Sequence, residues 1–435
     1  MDFTRSRELQ RKAHELIPGG AHTYAKGDDQ YPELSPGFIE RGQGCRIWDV
    51  DGNEFIEYGM GLRAVTLGHA YMPVVKAAGR QMLYGANFNR PAALEIACAE
   101  KLLEFIPTGG MVKFAKDGSA VTTAAIKLAR AHTGRDKIAI CGDHPFFSYN
   151  DWFIGATGMP GGIPQLIKDM TVKFRYNDLA SVQAMFEQHP GEIACIILEP
   201  TKTVEPADRF LHETMRICHE HGALFILDEM ITGFRMHQYG GQGEYQIEPD
   251  ISTWGKAMAN GFALSALVGK REIMELGGLR HATERVFLLS TTHGAETHAL
   301  AASIATMEVY QREDVIGHLY RVGERLQNGI NQLIESYSLQ GHFCLFGRPC
   351  NLVFATRDQE KKDSQGFRAL FMQEMLKRGV LAPSLIVSYS HKDADIDQTL
   401  AAINGALSVY CRALEDGYEK YLVGQPVKPV YRRFN

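Results

Sequence analysis

Four places in this 435-residue chain carry side chains whose type and setting could do chemistry. The first is Lys256, in the segment PDISTWGKAMANGFALSALVG, where it is the one charged residue between Ile251 and Val268. An amine held among apolar and small residues is poorly solvated as an ammonium, so its pKa falls and it becomes a nucleophile toward a carbonyl. The second is Asp228, which closes the apolar run ALFIL at a point where a carboxylate faces a crevice and can pair with a protonated nitrogen. Glu199 closes the run ACIIL in the same way, before Pro200. The fourth is Gly118-Ser119, just ahead of a helical stretch, where free backbone N–H groups, a hydroxyl and a glycine make a ready anion site. Each place also has a plainer reading. Lys256 could be a surface lysine, Asp228 an ordinary strand-end acid, and Asp117 or Ser119 a helix N-cap.

The elements that must position these residues follow from periodicity. The runs KIAIC (137–141), ACIIL (194–198), ALFIL (223–227) and SALVG (265–269) are too short for helices and suit strands buried on both faces. Helical stretches separate them, which predicts right-handed crossovers, a mostly parallel central sheet and helices on both of its faces. Ligands of such sheets bind beyond the carboxyl ends of the strands, where Glu199 and Asp228 fall. The stretch from Gly118 places Val121, Ala125, Leu128 and Ala129 at helical spacing and ends at Gly134. Both chain ends read differently, with alternating strands (CRIWDVDGNEFIEY; CNLVFAT) and amphipathic helices (FRALFMQEMLKRG; IDQTLAAINGALSVYCRALEDG). They predict one smaller α+β domain made of 1–55 and 323–435 around a large domain of 56–322. The tail VGQPVKPVYRRFN, with two prolines, predicts extended chain.

Composition narrows the class. Hydrophobic residues make up 45% and charged residues 22% of the chain, as in soluble globular proteins. A net charge of -5 argues against nucleic acid or a membrane surface as partner, since both call for a concentrated basic face. No apolar stretch approaches the roughly 20 residues of a membrane span. The first twenty residues mix both charges without an apolar core, which makes the cytoplasm the expectation. The eight cysteines are scattered in apolar runs without a paired framework. Cys218-His219-Glu220-His221 has no second ligand cluster at metal spacing, so it is read as a helix end and no metal is expected.

Taken together, these segments resemble the class III aminotransferases of fold type I, and within them glutamate-1-semialdehyde aminomutase and its relatives. The resemblance rests on PGG (18–20), WDVDGNEFIEY (48–58), LGHAYMPV (67–74), the Gly-Ser loop, LEP (198–200), LDEMITGFR (227–235), PDISTWGKAMANG (249–261) and LAPS (381–384). It implies pyridoxal 5'-phosphate (PLP) as cofactor, with Lys256 as Schiff-base lysine and proton shuttle. It further implies Asp228 on the pyridine nitrogen, and Gly118 and Ser119 on the phosphate, with Glu199 as a further cofactor-side carboxylate. A carboxylate on that nitrogen keeps the ring protonated and able to accept electrons. An aromatic residue stacks on the ring in relatives; here the position falls in Asp143-His144-Pro145-Phe146, where His144 matches best and Phe146 is the other candidate. Relatives also supply a threonine to the phosphate from the neighbouring subunit. LSTTHGAET offers Thr291, the better match, or Thr292, and the resemblance implies a homodimer with shared active sites.

The chain departs from the aminomutase pattern on the substrate side. Lys26 stands where the aminomutase has an arginine for the substrate carboxylate; a lysine offers a point charge without the bidentate fork. APSLIVSYS lacks the acid that follows this segment in the aminomutase. Met60-Gly61-Leu62-Arg63 brings in a cation that could contact substrate or serve as a surface or capping arginine. HPFFSYNDW and KPVYRRFN resemble segments of sugar-modifying relatives of lipopolysaccharide amino-sugar biosynthesis. The expected reaction is therefore transamination of a terminal aldehyde on a sugar acid, with L-glutamate as donor. An aminomutase isomerisation is the alternative.

Overall fold

The computed structural model describes residues 1–144 and 146–433; Pro145 and the last two residues of the expected tail, Phe434 and Asn435, lie outside the described residues. The chain forms two compact units, Met1–Tyr71 with Gly317–Asn435, and Met72–Ile316.

In the N-terminal part of the first unit, β1 (Ile39–Gln43), β2 (Arg46–Asp49) and β3 (Glu54–Glu57) form an antiparallel meander. The second unit is built on β4 (Met111–Ala115), β5 (Lys137–Cys141), β6 (Thr171–Phe174), β7 (Ile193–Leu198), β8 (Leu224–Asp228), β9 (Ile251–Trp254) and β10 (Ser265–Gly269). These seven make one sheet of order β4-β10-β9-β8-β7-β5-β6. Only β10 runs against its neighbours; β9, β8, β7, β5 and β6 are parallel. The four apolar runs of the sequence are thus strands β5, β7, β8 and β10.

Helices cover both faces of this sheet, as the alternation of side chains requires. Ile138 and Ile140 of β5 and Ile226 of β8 point into one cluster with Val121, Ala125 and Leu128 of the helix Gly118–Thr133. Ala139 and Cys141 of β5 and Phe225 and Leu227 of β8 point into the opposite cluster with Val182, Phe186, Phe210 and Ile217. Strands apolar at every position are therefore filled on two sides, which is why their sequences do not alternate.

Returning to the first unit, β11 (Phe343–Phe346) and β12 (Val353–Thr356) pair with each other, and β13 (Val380–Leu381) adds to β3 in parallel. The helices Gln365–Leu376 and Asp393–Asp416 pack on each other. The unit is α+β and draws on both chain ends, but its edges differ from those expected. A boundary after residue 55 would cut β3. The segment beyond it is tied into the first unit by Ile386 N–H donating to Tyr58 C=O (3.1 Å) and by Tyr389 N–H donating to Thr66 C=O (2.8 Å). The later boundary lies at 316/317, in the first turn of the helix Val315–Ser336, rather than at 322/323. The tail is extended, as expected: Lys428 N–H donates to Asp29 C=O (2.9 Å) and Arg432 pairs with Asp29 (2.6 Å).

Among the described residues, no helix is long and apolar enough to cross a membrane. Cys218 and His219 close the helix Phe210–Glu220, where His219 holds Asp250 (2.8 Å), and His221 just beyond it stacks on Phe186 (4.5 Å).

Candidate active site

Apart from Thr291 and Thr292, the residues singled out in the second unit follow the carboxyl ends of its strands. Asp228 ends β8, Glu199 follows β7, His144 follows β5 and Lys256 comes two residues after β9. The helix Gly118–Thr133 begins three residues after β4.

Asp228 is buried (2% exposed). Its Oδ1 accepts from the Met230 N–H (3.1 Å) and the Thr253 hydroxyl (2.9 Å). Burial raises its pKa to about 6, partly offset by the positive charge of Lys256 and by these two donors. A carboxylate in that state gains most from a new cationic partner. Thr253, the register partner of Asp228 on the next strand, was not singled out in the sequence. Its role depends on the register between β8 and β9, which the residue types of ISTW do not reveal.

Lys256 opens a short 3-10 turn with φ +46°, a left-handed conformation that a non-glycine residue adopts only at a cost of about 1–2 kcal/mol. A Cβ at Gly255, just before it, would sit 2.7 Å from Met230 Sδ, so the methionine side chain would have to shift. Held strain of this kind gathers at working sites, where it fixes one side chain in one direction.

At the head of the helix, Asp117 is the N-cap: its carboxylate accepts from Ala120 N–H (2.9 Å). Ser119 is therefore not the cap. Its buried Oγ accepts from Tyr149 N–H (3.0 Å), and the hydroxyl proton remains available to an anion. The same helix ties down the loop after β5, through Thr122 Oγ1 to Phe147 C=O (2.9 Å) and Asn150 Nδ2 to Thr123 Oγ1 (2.8 Å).

That loop sets His144, which is buried, whereas Phe146 is 45% exposed and packs edge-on against Phe153. Burial, with the charge of Lys202, pushes the His144 pKa down to about 3, so the ring is neutral. Its Nδ1 accepts from Glu199 N–H (3.1 Å), which puts the ring proton on Nε2. The backbone of Glu199 thus orients His144, and its carboxylate is buried beside the end of β7. Thr291 and Thr292 are exposed in the loop before the helix Thr297–Arg312; Thr292 is fixed through its carbonyl by Asn87 Nδ2 (3.0 Å).

The first unit holds a cavity of about 1010 Å³ lined by Lys26 and Arg63, among others. Lys26 is exposed. Arg63 Nε donates to Asn351 Oδ1 (2.9 Å). Met60, Gly61, Leu62 and Arg63 all have positive φ (42°, 57°, 57° and 74°), a left-handed turn with three non-glycine residues. The residue types do not announce this turn, because only Gly61 is suited to it.

An amine, a buried carboxylate, a neutral ring and an anion-binding helix terminus form a donor set that suits a phosphorylated pyridine aldehyde. Residues 27–407 match the family model "Aminotransferase class-III", and the chain belongs to that family of enzymes. It is 33% identical over 423 residues to a glutamate-1-semialdehyde 2,1-aminomutase of Persephonella marina, covering 92% of this chain and 97% of the relative. The enzyme of that name from Acetivibrio thermocellus is also 33% identical, over 93% of this chain and 98% of its own. The FumI protein of Sphingopyxis sp. MTA144, solved in a PLP form, superposes with a TM-score of 0.86 at 26% identity, covering 98% and 99% of the two chains. The fold is that of the PLP-dependent transaminases.

Proposed function

We propose that this protein is a PLP-dependent aminotransferase that places an amino group on a terminal aldehyde borne by a carboxylic acid. The observation that carries this is the buried Asp228 beside Lys256, in a chain of the class-III family. Bound PLP supplies an electron sink conjugated to the carbon that loses its proton. The chain does the rest. Lys256 Nζ takes the proton from the donor carbon and returns it to the cofactor side. Asp228 would hold the positive charge of the ring nitrogen, Ser119 and the start of the helix Gly118–Thr133 would receive the phosphate, and the neutral ring of His144 would pack beside the pyridine. Overall the donor would give up its amino group and take an oxygen from water as its keto acid forms, and the aldehyde would take that amino group and release its own oxygen as water.

Two finer readings share this chemistry. The relatives of known name favour the 2,1-aminomutase, an isomerase that needs no external partner. The chain's own residues favour transfer from L-glutamate to a sugar acid aldehyde, as in forming 8-amino-3,8-dideoxy-manno-octulosonate. Lys26 replaces the expected arginine, and Leu385 and Ile386 are fully buried and apolar where an acid is expected. One experiment separates them. The purified enzyme is given glutamate-1-semialdehyde alone, then the 8-aldehyde sugar acid with and without L-glutamate. The sugar-acid reading expects 2-oxoglutarate only in the complete mixture; turnover of the semialdehyde alone, with none of the sugar, would establish the isomerase instead.

We further propose a homodimer in which Thr291 serves the phosphate site of the partner subunit. Large apolar side chains stand exposed on the second unit, among them Leu83 (86%), Tyr84 (74%), Ile96 (63%) and Phe287 (71%), more than a solvent-facing surface favours. Sedimentation is expected to give a dimer. Thr291→Ala is expected to weaken cofactor retention about 10-fold or more, the worth of one hydrogen bond to a charged group, with Thr292→Ala near wild type. A monomer that retains cofactor, or the reverse ranking of the two variants, would remove this assignment.

A further inference from the structure

Strand β9, ISTW, is the one strand of the large sheet that carries two hydroxyls. Both are buried, Ser252 at 3% exposed and Thr253 at 0%. A buried hydroxyl is unfavourable unless it is hydrogen-bonded, so each must find a partner. Neighbours in a strand point to opposite faces, and these two find partners of different kinds. Ser252 Oγ accepts from Trp254 Nε1 (2.9 Å), a bond within the core packing. Thr253 Oγ1 donates to Asp228 Oδ1 (2.9 Å), from the facing position of β9. The pair is also joined through the backbone: Glu229 N–H, just after Asp228, donates to Thr253 C=O (2.8 Å). Met230 N–H donates to the same Oδ1 (3.1 Å). Both donors converge on Oδ1 and neither goes to Oδ2, which leaves Oδ2 as the oxygen to meet a cation.

Few charged groups surround this carboxylate. β9 carries none, and the helix Gly118–Thr133 brings its first only at Lys127. Glu199 follows β7, and the neutral His144 follows β5. The carboxylate of Glu229 is turned to the Thr232 hydroxyl and to the N–H groups of Gly241 (2.7 Å) and Gln242 (2.8 Å). Burial favours the neutral acid at Asp228; Lys256, Met230 N–H and the Thr253 hydroxyl favour the anion. Thr253 is thus the only one of these three that acts through a side-chain hydrogen bond. We infer that Thr253 is a positioning residue of the ring-nitrogen site, whose hydroxyl turns the Asp228 carboxylate so that Oδ2 is presented to the cation. The role toward a cation rests on the reading that PLP binds here; the bond to Asp228 does not.

Thr253→Val keeps the branched shape that suits a strand and removes the hydroxyl. Chemical denaturation of the cofactor-free protein from about pH 4 to about pH 8 follows the Asp228 proton. In wild type the folded state holds that proton up to about pH 6 and the unfolded chain loses it near 3.8, so this site's contribution to stability falls across that window. Removing a donor to the anion raises the upper limit. The fall in Thr253→Val should therefore extend about one pH unit or more higher, the worth of a hydrogen bond to a charged group. Glu229, which burial raises to about 7, titrates in both proteins and cancels in the comparison. Thr253→Ala should move the window as far, and Thr253→Ser should restore it. Ser252→Ala should lose stability evenly across the range and leave the window in place. With PLP added, Thr253→Val is expected to retain the cofactor about 10-fold less tightly, and Thr253→Ser close to wild type. An unmoved window in both Thr253→Val and Thr253→Ala, an equal shift in Ser252→Ala, or undiminished PLP retention in Thr253→Val would each overturn the inference. A wild type that holds no PLP would remove the cofactor reading, while a window moved by Thr253→Val and restored by Thr253→Ser would still tie Thr253 to Asp228.

Discussion

Lys256→Ala is expected to abolish turnover, by at least the 10²- to 10⁴-fold that a positioned proton-transfer group contributes, and with it all covalent attachment of the cofactor. The two losses have one cause. Nζ is both the atom that would bond the cofactor carbon and the base that would move the substrate proton. Wild type incubated with PLP and reduced with borohydride should carry the cofactor irreversibly on the peptide containing residue 256; the variant should release it on denaturation. Folding should survive the change. Lys256 has φ +46°, and alanine is no better and no worse there than lysine, so the backbone cost is common to both. The side chain is only half-buried, which limits the cavity left behind. A variant that kept both the fixed cofactor and the turnover would take Lys256 out of the site.

The strands of the large sheet were legible because both of their faces are buried. Every residue of β7 and β8 must be apolar until the chain reaches the crevice, and the first charged residue after each run, Glu199 and Asp228, marks that edge. Lys256 was legible for the converse reason, as one charge in a stretch with no other. What stayed hidden depends on contacts between distant segments. Thr253 matters through its register with Asp228, and the role of the Glu199 backbone through its bond to His144. The boundary near residue 71 depends on strand additions and ion pairs that join residues some 300 positions apart.

Asp228→Asn is expected to separate function from stability. Asparagine keeps an oxygen where Met230 N–H and the Thr253 hydroxyl donate, so the local geometry should hold. What it removes is the negative charge. Loss of one partner from a buried ion pair costs about 3–5 kcal/mol, and turnover should fall about 10²- to 10³-fold as the ring nitrogen loses its counter-charge. Without cofactor the same charge is a burden. The folded protein holds the Asp228 proton up to about pH 6, whereas the unfolded chain gives it up near the ordinary value of 3.8. Between those two values the folded state binds the extra proton, so this site's contribution to stability falls as pH rises and stays low above pH 6. Cofactor-free Asp228→Asn should lack that fall. Near pH 7 it should be more stable than cofactor-free wild type, by an amount on the order of 2–3 kcal/mol. Chemical denaturation of both proteins at pH 4.5 and pH 7, without cofactor, gives the comparison. A residue kept for structure alone would lower stability on replacement at both pH values. A gain at neutral pH together with lost turnover would mean that the fold carries a buried charge at a cost, and that binding of a cationic partner offsets it.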